Sequence, residues 1–179
     1  MKKILIGLGI FLGIILMIAG MFIEKNNTAI NLEEQIKESK SSINIQEKRR
    51  EDLIYNLVDT VENYNKYEQE TMSKIIEART KANNGQVKEA EMLISAVSEQ
   101  YPELKSNENY KTLMTELAVT ENLIAEHRNN YNIQIKQYNK HTKTFPNNII
   151  LNIMGYERLD NTYLEYEASE DAPKNLFKD

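Results

Sequence analysis

The chain contains no cysteine, no tryptophan, only two histidines, three prolines and six glycines in 179 residues. Without cysteine there is no disulfide framework, no thiol chemistry and no lipid-modified cysteine to hold the chain to a membrane. Two histidines and no thiol also leave few donors for a transition metal. Four of the glycines (Gly7, Gly9, Gly13, Gly20) lie in the first 23 residues, so the rest of the chain has only Gly85 and Gly155. Basic charge is scarce as well. Setting aside Lys2 and Lys3, 20 basic residues face 27 acidic ones, a net charge of −7. That balance argues against nucleic acid as a partner and against a polybasic grip on anionic lipid.

What is present first is an apolar run. Ile4 to Ile23 carries no charged side chain, and some twenty helical residues span the roughly 30 Å hydrocarbon core of a bilayer. The run exceeds a secretory h-region, and its one small-residue pair, Ala19-Gly20, follows Ile18 where a cleavage site needs a small residue. An uncleaved single-pass anchor over 4–23 is therefore expected, with residues 1–3 cytoplasmic. Lys2 and Lys3 favour that orientation and an extracytoplasmic soluble domain. Lys25, Lys37 and Lys40 on the far side nearly balance them. Gly9 and Gly13 form a small-xxx-small pair that would allow close helix approach, which leaves a homo-oligomer open.

Beyond the anchor the pattern is helical. Asn26-Asn27-Thr28 reads as a short polar break with Thr28 as a cap. From Thr28 to Ala82 there is neither Gly nor Pro, which predicts one very long helix or two in line, closed by Asn83-Asn84-Gly85. A second helix is expected over 86–100, a corner at Tyr101-Pro102-Glu103-Leu104, a third helix over 107–144 and a short fourth over 147–154 before Gly155. Apolar residues step by three and four: Ile54, Leu57, Val61, Tyr64, Glu68, Met72 and Ile75, then Val87, Ala90, Ile94, Val97 and Tyr101. The third stripe runs Tyr110, Leu113, Leu117, Thr120, Ile124, His127, Tyr131, Gln134, Tyr138, His141, Phe145. These heptad stripes predict an all-α fold: a transmembrane helix, then an elongated antiparallel four-helix bundle, coiled-coil-like, with long first and third helices. The bundle is placed at 24–156 and an acidic tail at 157–179. The thinner stretch with Leu32, Ile36 and Ile43 is expected to act as a stalk or to pack on another copy.

Tests for chemistry come out negative. Helical-bundle metal sites use Glu-x-x-His pairs, but Ile124 and Tyr138 stand three residues before His127 and His141. No His-Glu-x-x-His, phosphate loop or Gly-x-Ser-x-Gly elbow occurs. No cofactor and no catalytic residue are assigned. A polar set does lie beside the stripes: Arg49, Arg50, Asp52 and Asn56, then Arg79, then Glu121, Asn122 and Arg128. The plain expectation is interhelical ion pairs that fix register. The sharper alternative is a groove lined by Arg49, Arg50, Glu121, Asn122 and Arg128 that binds a peptide or small ligand.

These residues also carry a family resemblance. Lys48-Arg49-Arg50-Glu51-Asp52-Leu53-Ile54-Tyr55-Asn56-Leu57-Val58, Ala78-Arg79, Tyr101-Pro102-Glu103-Leu104, Thr120-Glu121-Asn122, Tyr131-Asn132, Tyr138-Asn139, Phe145-Pro146 and Gly155-Tyr156 follow in order. With Pro173 and Phe177 the chain resembles the LemA family from about residue 31 to 177. It departs where the family pattern has Trp near Lys40, Pro at Tyr55, Gly at Asn63 and His at Tyr67. The resemblance implies a bacterial single-pass membrane protein of the cell envelope, with a four-helix-bundle-like domain and no established enzymatic activity. One anchor, long heptad stripes and no catalytic constellation lead to the expectation of a non-enzymatic scaffold whose partners are other envelope or membrane proteins.

Overall fold

The computed structural model describes residues 2–63, 68–159 and 163–164; Tyr64, Tyr67, Pro173, Phe177 and most of the expected acidic tail lie outside them. Among the described residues there are six α-helices and no strand: α1 (Lys2–Glu62), α2 (Gln69–Asn83), α3 (Val87–Gln100), α4 (Pro102–Ser106), α5 (Glu108–Lys143) and α6 (Asn147–Ile153). The chain divides into two compact units. One comprises Met1–Ile36 with Tyr131–Asp179, the other Lys37–Asn130.

In the unit 37–130, four helices and the α4 turn share one core. Leu53, Ile54, Leu57, Val58 and Val61 from α1 meet Ile75, Ala78 and Ala82 from α2, Ala90, Ile94 and Val97 from α3, Leu104 from α4, and Tyr110 and Leu117 from α5. The heptad stripes supply most of these buried faces, but the first stripe is corrected where the chain reverses: Glu68 is exposed, Met72 is half-buried, and Thr71 is the buried residue in the first turn of α2. Helices α1 and α2 are not in line. The Tyr55 hydroxyl donates to the Ala82 carbonyl at 3.0 Å, and Arg79 pairs with Asp59 and Glu62. Rising numbers on α2 therefore meet falling numbers on α1, and α2 doubles back. The side chain and the N–H of Asn63 both donate to the Asp59 carbonyl, at 2.8 and 3.1 Å. They close the last turn of α1 with groups that no Gly or Pro announces.

The other helix ends follow their sequence signals. Gly85 takes φ +74° and Gly155 φ +83°. At each, the glycine N–H and the next N–H reach back to carbonyls of the last turn: Gly85 to Ala82 and Gln86 to Lys81, Gly155 to Asn152 and Tyr156 to Leu151. That is the Schellman closure, which needs the left-handed conformation glycine adopts freely. Asn107 Oδ1 accepts from the Tyr110 N–H at 3.1 Å, capping α5. Pro102 sits in the first turn of α4, where its missing N–H costs nothing.

In the unit formed by 1–36 and 131–179, α1 and α5 run antiparallel. Tyr138 Oη donates to Glu33 at 3.4 Å, and His141 Nε2 lies 3.2 Å from the Lys25 carbonyl. Ala29, Ile36, Tyr131, Ile135, Tyr138, Ile150 and Leu151 are buried. Two expectations are corrected. The polar Asn26-Asn27-Thr28 does not break α1. Thr28 Oγ1 donates to the Glu24 carbonyl at 2.9 Å inside a continuous helix, so the hydroxyl is used within the helix rather than as a cap. And the stretch with Leu32, Ile36 and Ile43 is not a bare stalk, since Ile36 here and Ile43 in the other unit are both buried within the chain. The end of the third stripe is corrected too. Phe145 is 75% exposed, because α5 stops at Lys143 and the chain turns before reaching it.

Burying a large aliphatic side chain contributes about 1.5–3 kcal/mol, so the stripe rather than the surface carries stability. Leu117, 2% exposed, tests this. Leu117→Asp should cost about 3–5 kcal/mol by burying an unpaired charge. Val119→Asp, at a 49% exposed position two residues on, should leave thermal unfolding of the detergent-solubilised protein within about 0.5 kcal/mol of the parent.

Candidate functional site

The polar residues singled out in the sequence do not gather into one groove. Within the unit 37–130 they form rungs between α1 and α5. Arg49 pairs with Glu116 at 3.5 Å, Arg50 with Glu121 at 3.1 Å, and Arg128 with Glu47 at 3.1 Å. Asn130 Nδ2 donates to Ser39 Oγ at 3.3 Å further along. From Ser39 and Glu47 to Arg49 and Arg50 on α1, the partners on α5 drop from Asn130 and Arg128 to Glu116 and Glu121, the antiparallel order. Asp52 instead pairs with Lys48 of its own helix at 3.2 Å. Arg79 holds Asp59 and Glu62 at the end of α1. Asn56 is exposed and borders a shallow depression of 390 Å³ with Asp59, Thr60, Asn63, Asn107 and Asn109. Asn122 is exposed. Of the eight, only Arg50 and Glu121 are joined directly to each other by an ion pair described here.

Partly exposed pairs such as these are worth about 0.2–1 kcal/mol each. Their charges are already matched across the helices, so they act on register more than on affinity for a ligand. His141 is hydrogen-bonded on both sides of its ring: Nε2 lies 3.2 Å from the Lys25 carbonyl and Nδ1 lies 3.2 Å from Asn147 Nδ2. His127 is half-buried on the same helix. Among the described residues no three His, Asp or Glu side chains converge as a metal site would require.

Two features escaped the sequence reading. The first is Glu91 on α3, half-buried beside the Arg50–Glu121 pair. Burial and then repulsion from Glu121 push its carboxyl above the usual glutamate value, against smaller opposing effects of Arg50 and Lys88. Its position next to Ala90 on the stripe is the only sequence signal for it. The second is a pair of asparagines on α5, in the unit that contains residues 131–179. Asn139 Nδ2 donates to the Leu159 carbonyl at 3.0 Å while its Oδ1 accepts from the Leu159 N–H at 2.9 Å. Asn132 does the same to Leu164, both at 2.8 Å. Each amide engages both backbone groups of one residue, as a neighbouring strand would, and holds Leu159 or Leu164 against α5. The repeat Tyr131-Asn132 and Tyr138-Asn139, seven residues apart, was the available signal.

The Glu91 environment has a pH signature. A glutamate that binds its proton more tightly when folded contributes stability below its ordinary titration range and loses it as pH rises through the raised folded value. Glu91→Gln should therefore raise the melting temperature at about pH 7 and change it little below about pH 4. Calorimetry at the two pH values checks this, and destabilisation at neutral pH would contradict it.

Known proteins supply the context. "Protein LemA" of Metamycoplasma hominis is 27% identical over 142 residues, covering 73% of this chain and 65% of that protein. "Magnetosome protein MamQ 2" of Paramagnetospirillum magneticum is 35% identical over 80 residues, 45% of this chain and 29% of its own. "Magnetosome protein MamQ" of Magnetospirillum gryphiswaldense is 31% identical over 80 residues, with the same coverage. The chain thus spans about two-thirds or less of the length of these relatives. The LemA family matches residues 39–177, and on that match the chain belongs to the LemA family.

Proposed function

We propose that this protein is a membrane-anchored, non-enzymatic scaffold of the bacterial cell envelope, with its bundle outside the cytoplasmic membrane and its partners other membrane proteins. The observation that carries the reading is the segment within α1 whose length and hydropathy suit a membrane crossing, with none of it buried inside the protein. An apolar face of that length left in water would be costly, and lipid relieves the cost. Lys2 and Lys3 favour an inside N-terminus. The four divisions 1–3, 4–23, 24–156 and 157–179 belong to this proposal. The ion-paired rungs support a scaffold over a catalyst, because their charges serve one another.

A second reading, a peptide-binding module, is favoured by one observation. Asn132 and Asn139 recognise backbone alone, so an extended segment of another protein could occupy the same amides. The alternative groove lined by Arg49, Arg50, Glu121, Asn122 and Arg128 has less support, since Arg49, Arg50, Glu121 and Arg128 are ion-paired between helices.

An amine-reactive crosslinker that cannot cross membranes, applied to intact cells, tests the proposal. Capture of a specific membrane protein, or of a second copy, is expected. Monomer alone from both intact cells and inverted vesicles would contradict the scaffold, and capture only from inverted vesicles would reverse the orientation.

A further inference from the structure

Large apolar side chains are left uncovered at one end of the unit formed by 1–36 and 131–179, three of them more than half exposed. Phe145, Ile149 and Ile153 are 75%, 54% and 70% exposed. Ile149 and Ile153 stand four residues apart and share one side of α6, while Ile150 and Leu151 on the other side are buried, and Phe145 lies in the turn just before the helix. The position of this corner on α1 is fixed by hydrogen bonds. Asn147, at the start of α6, lies 3.2 Å from His141, which in turn lies 3.2 Å from the Lys25 carbonyl. Tyr156, just past its end, donates to Asn26 Oδ1 at 2.9 Å. Both ends of α6 are therefore held at Lys25–Asn26, two to three residues beyond the last apolar residue of the candidate span, Ile23. Phe22 is the first residue along α1 to lose part of its exposure, after an unbroken exposed stretch from 2 to 21.

We propose that Phe145, Ile149 and Ile153 form a foot that inserts into the interfacial layer of the membrane that α1 crosses. This rests on the anchor reading above. The occupant follows from continuity: the patch adjoins the lipid end of α1, and an apolar side held at that height meets acyl chains and headgroups before it meets another protein. Three side chains fall well short of the roughly 800 Å² per partner of a specific protein interface. The local charge agrees. Among the described residues at this end, Lys25, Lys140, Lys143 and Arg158 outnumber Glu24 and Glu157, in contrast to the acidic balance of the chain beyond the anchor. The exposed stems of Lys140 and Lys143 can lie along the surface with the charged heads among phosphates. The net negative charge of the bundle argues against electrostatic binding of the whole domain to lipid; a small apolar foot does not depend on that charge.

The absence of cysteine makes the test clean. Full-length variants Ile149→Cys, Ile153→Cys, Ile14→Cys and Met92→Cys are labelled with a polarity-sensitive fluorophore and reconstituted in vesicles of three parts phosphatidylcholine to one part phosphatidylglycerol. Met92 is exposed in the other unit and serves as the aqueous reference. Brominated acyl chains should quench the probes at 149 and 153 several-fold more than at 92, approaching the loss at 14, and aqueous iodide should show the reverse order. Iodide quenching at 149 and 153 equal to that at 92 overturns the foot while lipid quenching at 14 keeps the anchor. Lack of lipid quenching at 14 overturns the anchor and the foot with it. Shielding at 149 and 153 from both quenchers assigns the patch to a protein partner and also overturns the foot.

Discussion

Everything else in the structure depends on α1 staying helical from Lys2 through Glu62. Under the proposed anchoring, this one helix would serve two surroundings. Its first part exposes an apolar surface on all sides, and from Ala29 on it buries a single stripe against protein. In lipid every backbone donor and acceptor must be closed within the segment, and a helix does this by itself. The change from all-round exposure to a buried stripe falls around Glu24–Thr28, where charged and amide side chains could have competed for the backbone. They are occupied instead. Lys25 pairs with Glu24, Thr28 bonds to the Glu24 carbonyl, and Asn26 accepts from Tyr156. The polar collar that reads as a break is a fastening point for the α5–α6 corner.

Away from that collar the energetic division is plain. Fully buried Ile54, Val61, Ile75, Ile94 and Leu104 hold the unit 37–130 together, and the charged rungs from Glu47 to Glu121 choose its register. Glu91 lies where the two roles meet, near enough to the stripe to lose water and near enough to Glu121 to be repelled. In the other unit the same division of labour recurs. Ile135 and Leu151 fill the interior, while Asn132, Asn139 and His141 satisfy polar groups at its margin.

Much of this was legible in the sequence because the signals are local. Gly85 and Gly155 mark helix ends by needing positive φ, Asn107 marks a start by offering a cap, and the three-four spacing of Ala90, Ile94 and Val97 marks a buried face. The reversal after α1 was not legible, since Asn63 ends that helix by bonding to Asp59 without a Gly or Pro. The LemA resemblance, with glycine expected at position 63, marked the place without giving its consequence. Phe145 continues the heptad on paper but lies past the end of α5, where spacing no longer describes a helix face. Candidate site residues were recognised as polar neighbours of the stripe, but which of them would meet depended on α2 folding back and on α5 running against α1. Those are facts of packing between distant segments, beyond the reach of spacing along one of them.

The most direct measurement of the central claim is amide hydrogen exchange of the full-length protein in lipid vesicles, read on peptides covering residues 24–28. The account predicts slow exchange there, comparable with residues 29–36, because the same helix continues through the collar. Exchange at the rate of an unstructured peptide would show that the span and the bundle helix are separate elements, and would contradict it.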